Sequence, residues 1–461
     1  MREQKKACNR PAYFAGVAAM LIIMFIGPYV VPAWSEEITK TGVAVTCVFV
    51  GAIVGILTTN DLIMCGLFSM GGLVVNGILT SGEVIASFMG ASYVWQIIVL
   101  YALCYVIVRD KTGEAIAHFL LTRKFTQKYP VVMIMVLLFA LGLASAFMGV
   151  FGALIVGFTL VDGIFTSAGI DKKTKFARLV YLGTFVMICV GPMTIGSMAA
   201  LNLAAGQFFF NIAGVQVITF RFVAEAFTIM LTFCVIYPLC IKYIFRCDMK
   251  SLNKVEMSSA LGETRQKLTL KQWIPLLAFL LIAIQSFTYQ YWPDIPVISD
   301  IKGMDTVIFT SVILAVLAVV RVKGEQIFIP VEAFSKGVNW PIVMAVASMA
   351  CIGTQMVSDE YGVKEWLTNI LGNLFSNNNP VLFVVVTVVI TLIITNIFSN
   401  TATLLVISAL VATLCGPLAE AGHDITILAV IICMTSQVAY LTYASSGQAA
   451  ILLNRDNMDN K

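Results

Sequence analysis

Apolar runs of about twenty residues recur along this 461-residue chain, and nothing constrains its fold more. A run of that length matches the hydrocarbon thickness of a bilayer when helical. With 59% hydrophobic and only 12% charged residues, the chain lacks the polar surface a soluble domain needs. The fold class expected is therefore an all-α polytopic membrane protein. Apolar spans are expected at about 12–31, 43–57, 62–79, 176–190, 222–243, 273–287, 307–320 and 425–440. The first reads as a span and not a cleaved leader, because it ends at Pro32 and Trp34 with no small-residue cleavage pattern. The 11 cysteines contain no Cys-x-x-Cys pair and read as small buried hydrophobes. Two histidines without a Cys/His cluster argue against zinc. No cofactor and no nucleic-acid partner are expected.

One stretch does not fit a plain span. Thr391-Leu392-Ile393-Ile394-Thr395-Asn396-Ile397-Phe398-Ser399-Asn400-Thr401-Ala402-Thr403 sits inside the apolar segment 381–414. An unpaired polar group in hydrocarbon costs several kcal/mol, so such side chains face protein, water or a ligand. Ser, Thr and Asn also compete for their own backbone, which favours a break. A break exposes the amides of a second half-helix, and these attract anions. The competing explanation is interhelical glue. The density of the cluster favours a binding site.

The chain reads as two halves. Residues 83–113 and 332–362 share a grammar: an acidic amphipathic lead, one Trp (Trp95, Trp340), an apolar run, a charged stop and Gly. Each is expected to be a re-entrant hairpin. Residues 130–165, interrupted at Gly142, Ser145, Gly149 and Gly152, are expected to be a broken helix matching 381–414. The span 176–190 dissolves into Gly191-Pro192-Met193-Thr194-Ile195-Gly196-Ser197. An offset of 250 sets Ser145 on Thr395 and Gly149-Val150-Phe151 on Ser399-Asn400-Thr401. The domain reading is a first repeat half at 1–245, a polar cytoplasmic linker at 246–271, and a second half at 272–461. Repeated halves with matching breaks point to a secondary transporter. Ten spans and two hairpins, with basic residues concentrated in the linker and near both termini, put both termini in the cytoplasm and invert the two repeats. That count leaves five basic residues between Arg109 and Lys128 outside, against the positive-inside rule.

Ser399-Asn400-Thr401-Ala402-Thr403 resembles the Ser-Asn-Thr signature of the divalent anion/sodium symporter family, within the wider ion transporter superfamily. Asn339-Trp340-Pro341 and Tyr361-Gly362 resemble its hairpin region. Residues 442–449 resemble its Thr-Pro-Pro loop without the prolines, and 191–202 the first-half copy. The resemblance covers roughly 83–454. It implies two hairpins and two broken helices around a dicarboxylate, tricarboxylate or sulfate, with one sodium site per half, in an elevator-like homodimer of the cell membrane. Carried onto this chain, Ser399, Asn400 and Thr401 bind the anion, with Ser145, Thr194, Ser445 and Ser446. Thr395, Phe398, Asn400 and Thr442 hold sodium. The first Ser-Asn-Thr is absent, and Phe151 offers no side-chain oxygen in its place. The expectation is thus a cation-coupled or exchanging transporter of a small anion. A sodium/proton antiporter is the alternative and needs an intramembrane carboxylate, with Asp162 or Glu225 as candidates. A scaffold or enzyme is a third reading, for which no nucleophile–base pair stands out.

Overall fold

The computed structural model describes residues 11–112, 129–148, 150–249, 252, 269–291, 306–356, 358–363, 365–366, 369, 380–420, 422–441, 446–453 and 455. In chain order its main helices are α1 (Pro11–Val30), α2 (Lys40–Thr59), α3 (Leu62–Val75), α4 (Ser81–Phe88), α5 (Ser92–Arg109), α6 (Pro130–Met148), α7 (Val150–Ala168), α8 (Lys175–Val190), α9 (Ala200–Ala213) and α10 (Phe220–Tyr243). Then come α11 (Leu270–Tyr291), α12 (Thr306–Val319), the strands β1 (Arg321–Val322) and β2 (Glu325–Gln326), α13 (Trp340–Met356), α14 (Pro380–Ile397), α15 (Asn400–Leu414), α16 (Thr426–Thr435) and α17 (Gly447–Leu453). Among the described residues six helices are long and apolar enough to cross a membrane, or seven if the bent pair Pro330–Gly337 and Trp340–Met356 is one span, and further apolar helices are shorter. This is an all-α polytopic architecture; among the described residues the one antiparallel ribbon, β1 with β2, is two residues deep. Side-chain caps start several of the helices: Thr39 accepts from the Gly42 amide at 3.0 Å, and Asp61 from Met64 at 3.1 Å. Such caps satisfy amides that have no partner inside the helix.

The chain forms two compact units. The first holds residues 1–98, 200–218 and 339–436. Here α2 and α3 are joined by a two-residue turn, in which Asn60 takes a left-handed conformation (φ 53°) and Asp61 caps α3. Helix α13 packs against α2, α3, α9 and α15, and α15 is buried along most of its length. Helix α14 exposes Val381, Val385, Val389, Ile393 and Ile397, an i, i+4 stripe suited to lipid.

The second unit holds residues 99–199, 219–338 and 437–461. Its core joins α6, α7, α8 and α10 through Leu138, Leu141, Phe158, Tyr181, Phe185 and Met230. The reading of 130–165 as one broken span is corrected here. Met133 and Ile134, near the start of α6, line a small apolar cavity together with Ile164 and Phe165, near the end of α7. Ends that meet cannot belong to a helix that crosses once. Two 19-residue helices also measure about 57 Å end to end, against a hydrocarbon core of about 30 Å. The element folds back around residue 149, which lies outside the described residues. Each segment expected to be a hairpin forms a short helical piece followed by a longer helix. Within 83–112 the chain makes the eight-residue α4 and then the single 18-residue α5. Within 332–362 the lead Pro330–Gly337 meets α13 at a bend of 68°, as a broken span or a re-entrant loop would, and a turn at Asp359–Tyr361 and a left-handed Gly362 (φ 70°) follow.

The end of α5 is held by contacts with α11 and with the ribbon. Arg109 Nη2 donates to the Ile327 carbonyl at 2.6 Å, and Gln272 Nε2 donates to the Asp110 carbonyl at 2.8 Å. Lys271 Nζ lies 2.8 Å from Glu325 and 3.9 Å from Asp110. The end of α5 therefore stands beside the start of α11, where the linker ends. At the other end of the 113–128 segment, Met133 and Ile134 share their cavity with Leu252 of the linker. Arg109 and Asp110, at the end of α5, are tied to the start of α11 and to the β1–β2 ribbon. Residues 113–128 and most of the linker lie outside the described residues.

Candidate functional site

Helix α14 ends at Ile397, and Ser399, with extended backbone (φ −74°, ψ 147°), is the N-cap of α15. The break falls where the polar cluster placed it. Ser399 Oγ accepts from the Ala402 amide at 3.2 Å and donates to Asn60 Oδ1 at 2.7 Å. Its proton and one lone pair are committed, so Ser399 holds the turn against the α2–α3 connection. Asn400 follows at the first helical position and is only 4% exposed; Thr401 is half-buried.

Thr395, fully buried, donates from Oγ1 to the Ser436 carbonyl, and the same Oγ1 lies 3.3 Å from Asn400 Oδ1. A hydroxyl has one proton, so the Ser436 bond leaves the Thr395 and Asn400 oxygens facing each other. Two outcomes suit that geometry. The Asn400 amide can turn, so that Nδ2 donates to Thr395, since oxygen and nitrogen are assigned by network and not observed. Or a cation can sit among Thr395 Oγ1, Asn400 Oδ1 and the Ser436 carbonyl. Phe398 is half-buried in the turn between the limbs. Asn396 is different: its Nδ2 bonds back to the Leu392 carbonyl at 2.8 Å on an exposed face.

The segment 381–414 contains no Arg or Lys. Positive potential at the break must come from the amide end of α15. Sequence reasoning gave no role to Thr403 and Ser408. Both hydroxyls are buried in α15 without a hydrogen-bond partner among the described residues. They differ from helical neighbours such as Thr391, Thr413 and Thr435, whose hydroxyls each bond to the carbonyl four residues back. Thr403 lies three residues beyond Asn400, on the same helical face, and that spacing was the available signal.

The second unit holds a separate constellation. Gly191 ends α8 and packs on the end of α6. A side chain there would meet the Gly142 carbonyl and Ser145 Oγ first. Ser145, buried, bonds to the Gly142 carbonyl at 2.7 Å, and Thr194, buried, to the Gly191 carbonyl at 2.7 Å. Ser145 and Thr194 are thus brought together across the Gly142–Gly191 contact. The interruption after Val190 becomes a 3-10 stretch, Gly191–Met198, with a kink at Gly196 (φ 58°). Phe151 is 54% exposed. Ser446 accepts from the Ala449 amide at 2.9 Å and caps α17. Thr442, Ser445 and Gly149 lie outside the described residues.

The carboxylates that a proton antiporter would use are engaged. Asp162 receives both of its oxygens' bonds from Arg455 Nη2 at 2.7 Å, another from Tyr181, and faces Lys172 at 3.3 Å. Glu225 is paired with Arg221 at 2.8 Å, four residues away.

No protein-family model matches this chain, and no curated protein matches it.

Proposed function

We propose that the protein is a secondary active transporter of a small anion, a di- or tricarboxylate or a sulfate-like oxyanion, coupled to a cation or to exchange. One observation carries the reading: a capped helix break inside an uncharged apolar segment, with Thr395, Asn400 and the Ser436 carbonyl gathered at it. The α15 amide end and Asn400 would receive the anion, with Thr401 beside them. The oxygens of Thr395, Asn400 and Ser436 would suit sodium. Asn400 has an acceptor and two donors, so it can serve both. The resemblance to the divalent anion/sodium symporters supports the same assignment, including a homodimer in the cell membrane that works as an elevator.

A repeat of opposed halves is supported by a local match. In the first half Ser145 lies against Gly191, the residue that ends α8; in the second Thr395 bonds to Ser436, the residue that ends α16. Ser145 and Thr395 are the pair that the 250-residue offset aligns. With basic residues concentrated in the linker and near both termini, these are read as cytoplasmic. The antiporter reading loses support, because Asp162 and Glu225 are both held in ion pairs.

The test is uptake by proteoliposomes, with a thermal-shift screen against carboxylates, sulfate and sodium to find the substrate, since ligands of the native state raise its stability. Sodium-dependent uptake with a Hill slope near one is expected, because the first half carries Val150-Phe151 where an Asn-Thr pair would bind. A slope near two would contradict that. No stabilisation and no uptake with any anion would sink the transport reading.

A further inference from the structure

We propose that Thr403 supplies a fourth oxygen to the cation site at the break between α14 and α15, and that its hydroxyl sets the affinity of that site for sodium. The inference rests on the cation half of the reading above. Every residue it uses lies in the first unit. The observation that carries it is an uncommitted hydroxyl. Thr403 is fully buried, and its Oγ1 has no hydrogen-bond partner among the described residues. Its backbone is ordinary, with the Thr403 amide donating to the Ser399 carbonyl at 2.9 Å. A threonine inside a helix can give its own proton to that same carbonyl, four residues back, as Thr391, Thr413 and Thr435 do. Thr403 does not, so its helix leaves the hydroxyl unused. A buried hydroxyl without compensation costs free energy, and a ligand bound beside it removes that cost.

The position of Thr403 makes the break the place for such a ligand. Side chains three positions apart on a helix are neighbours, about 5–6 Å between Cβ atoms, and each leans toward the N-terminus. Thr403 therefore leans over the turn that Asn400 opens. Thr395 Oγ1, Asn400 Oδ1 and the Ser436 carbonyl already stand together at that turn. Three oxygens undersupply a hard cation, which gathers about six to eight. The backbone field points the same way. Ile397 ends α14 and Ser436 ends α16, so two helix C-termini meet the one N-terminus of α15. C-termini carry partial negative charge, and two against one favours a cation. Burial separates the two ligands of the site. Thr395 and Thr403 are both at 0% exposure, which suits a small dehydrated ion. Thr401, half-buried, is left for the larger anion.

The experiment is thermal stabilisation of the full-length protein by sodium, with choline replacing sodium at constant ionic strength. It needs neither an anion nor transport. Thr403→Val keeps the shape and removes the oxygen, and Thr403→Ser keeps the oxygen. Ser408→Ala is the control: it removes a second buried hydroxyl that lacks a partner among the described residues, about 12 Å along the helix from Asn400. Thr403→Val should melt with the wild type in choline and should need about tenfold more sodium for half-maximal stabilisation. Thr403→Ser and Ser408→Ala should titrate as the wild type does. An unchanged sodium midpoint in Thr403→Val would overturn the proposal and leave Thr395, Asn400 and Ser436 as the whole site. An equal shift in Ser408→Ala would overturn it too, because a general loosening of α15 would then explain both. Should Thr403→Val fail to fold, Thr403→Ala decides by the same midpoint. Should the wild type gain nothing from sodium over choline, the cation reading itself fails and takes the proposal with it.

Discussion

Gly191→Ala is a perturbation on which two physical effects disagree. Gly191 has ordinary helical angles (φ −50°, ψ −46°), so the backbone tolerates alanine. Helical propensity alone would favour the change by about 1 kcal/mol. Packing opposes it. The added carbon would stand 2.7 Å from the Gly142 carbonyl carbon, where ordinary contact begins at 3.4 Å, and closer still to that carbonyl's oxygen. The obstacle is backbone, which cannot rotate away as a side-chain tip can. The ends of α6 and α8 would have to part by at least about 0.7 Å. Overpacking of this kind costs roughly 1–3 kcal/mol or more, and an immovable neighbour places it at the upper end. The net expectation is a loss of about 2 kcal/mol. Gly152→Ala, with nothing within 4 Å of the added carbon, is the control and should be neutral or slightly stabilising. Thermal unfolding of the two purified variants in one detergent checks the ranking. If Gly191→Ala melts at or above the wild-type temperature while Gly152→Ala does the same, α6 and α8 do not approach as described. The contact that joins Ser145 to Thr194 then goes with it.

Single cysteines placed at Lys111 and at Arg321 should react with an impermeant maleimide from the same side of the membrane, and only after permeabilisation of intact cells; labelling of Lys111→Cys from outside would contradict the Arg109–Ile327 contact. Thr403→Val should leave Tm within about a degree, because no bond is lost, whereas Thr391→Val, which removes the 2.6 Å bond to Thr387, should lower it; equal losses would mean that the Thr403 hydroxyl has a partner after all. Bonds from the Thr80 amide and hydroxyl hold the Glu83 carboxyl below its ordinary 4.5. The stabilisation they give is therefore present above that value and is lost as pH falls through the lower folded value. Glu83→Gln should flatten the acid-side loss of stability between about pH 5 and 3, and an unchanged profile would show the cap to be unimportant.

The apolar runs made the class of fold legible, because a bilayer leaves few alternatives to helices. The break at Phe398–Ser399 was legible for the same reason: Ser399 is a strong cap residue, and nothing else in 381–414 calls for so many hydroxyls and amides. Which elements fold back was not legible. Residues 130–165 and 83–113 are both apolar with interruptions, and hydropathy does not distinguish a helix that kinks from a pair that returns. The fold-back of 130–168 shows only in the meeting of Met133 and Ile134 with Ile164 and Phe165, residues some thirty positions apart. The Asp162–Arg455 pair was invisible in sequence, its partners being 293 positions apart. Ser399 illustrates a finer limit: its residue type suits a ligand and a cap equally, and only the bonds to Ala402 and Asn60 assign it to the cap.

The central claim is that the helix break is a binding site and not packing glue, and Asn400 decides it. Anion affinity and Tm are measured together on Asn400→Ala and Asn396→Ala. Losing a buried hydrogen-bonding group costs about 1–3 kcal/mol, or roughly ten- to a hundredfold in affinity. Asn400→Ala should lose affinity for the anion and for sodium by that factor. Asn396→Ala, whose amide bonds to its own helix on an exposed face, should bind as the wild type does. If Asn400→Ala keeps wild-type affinity and only melts earlier, the break is glue and the account is wrong.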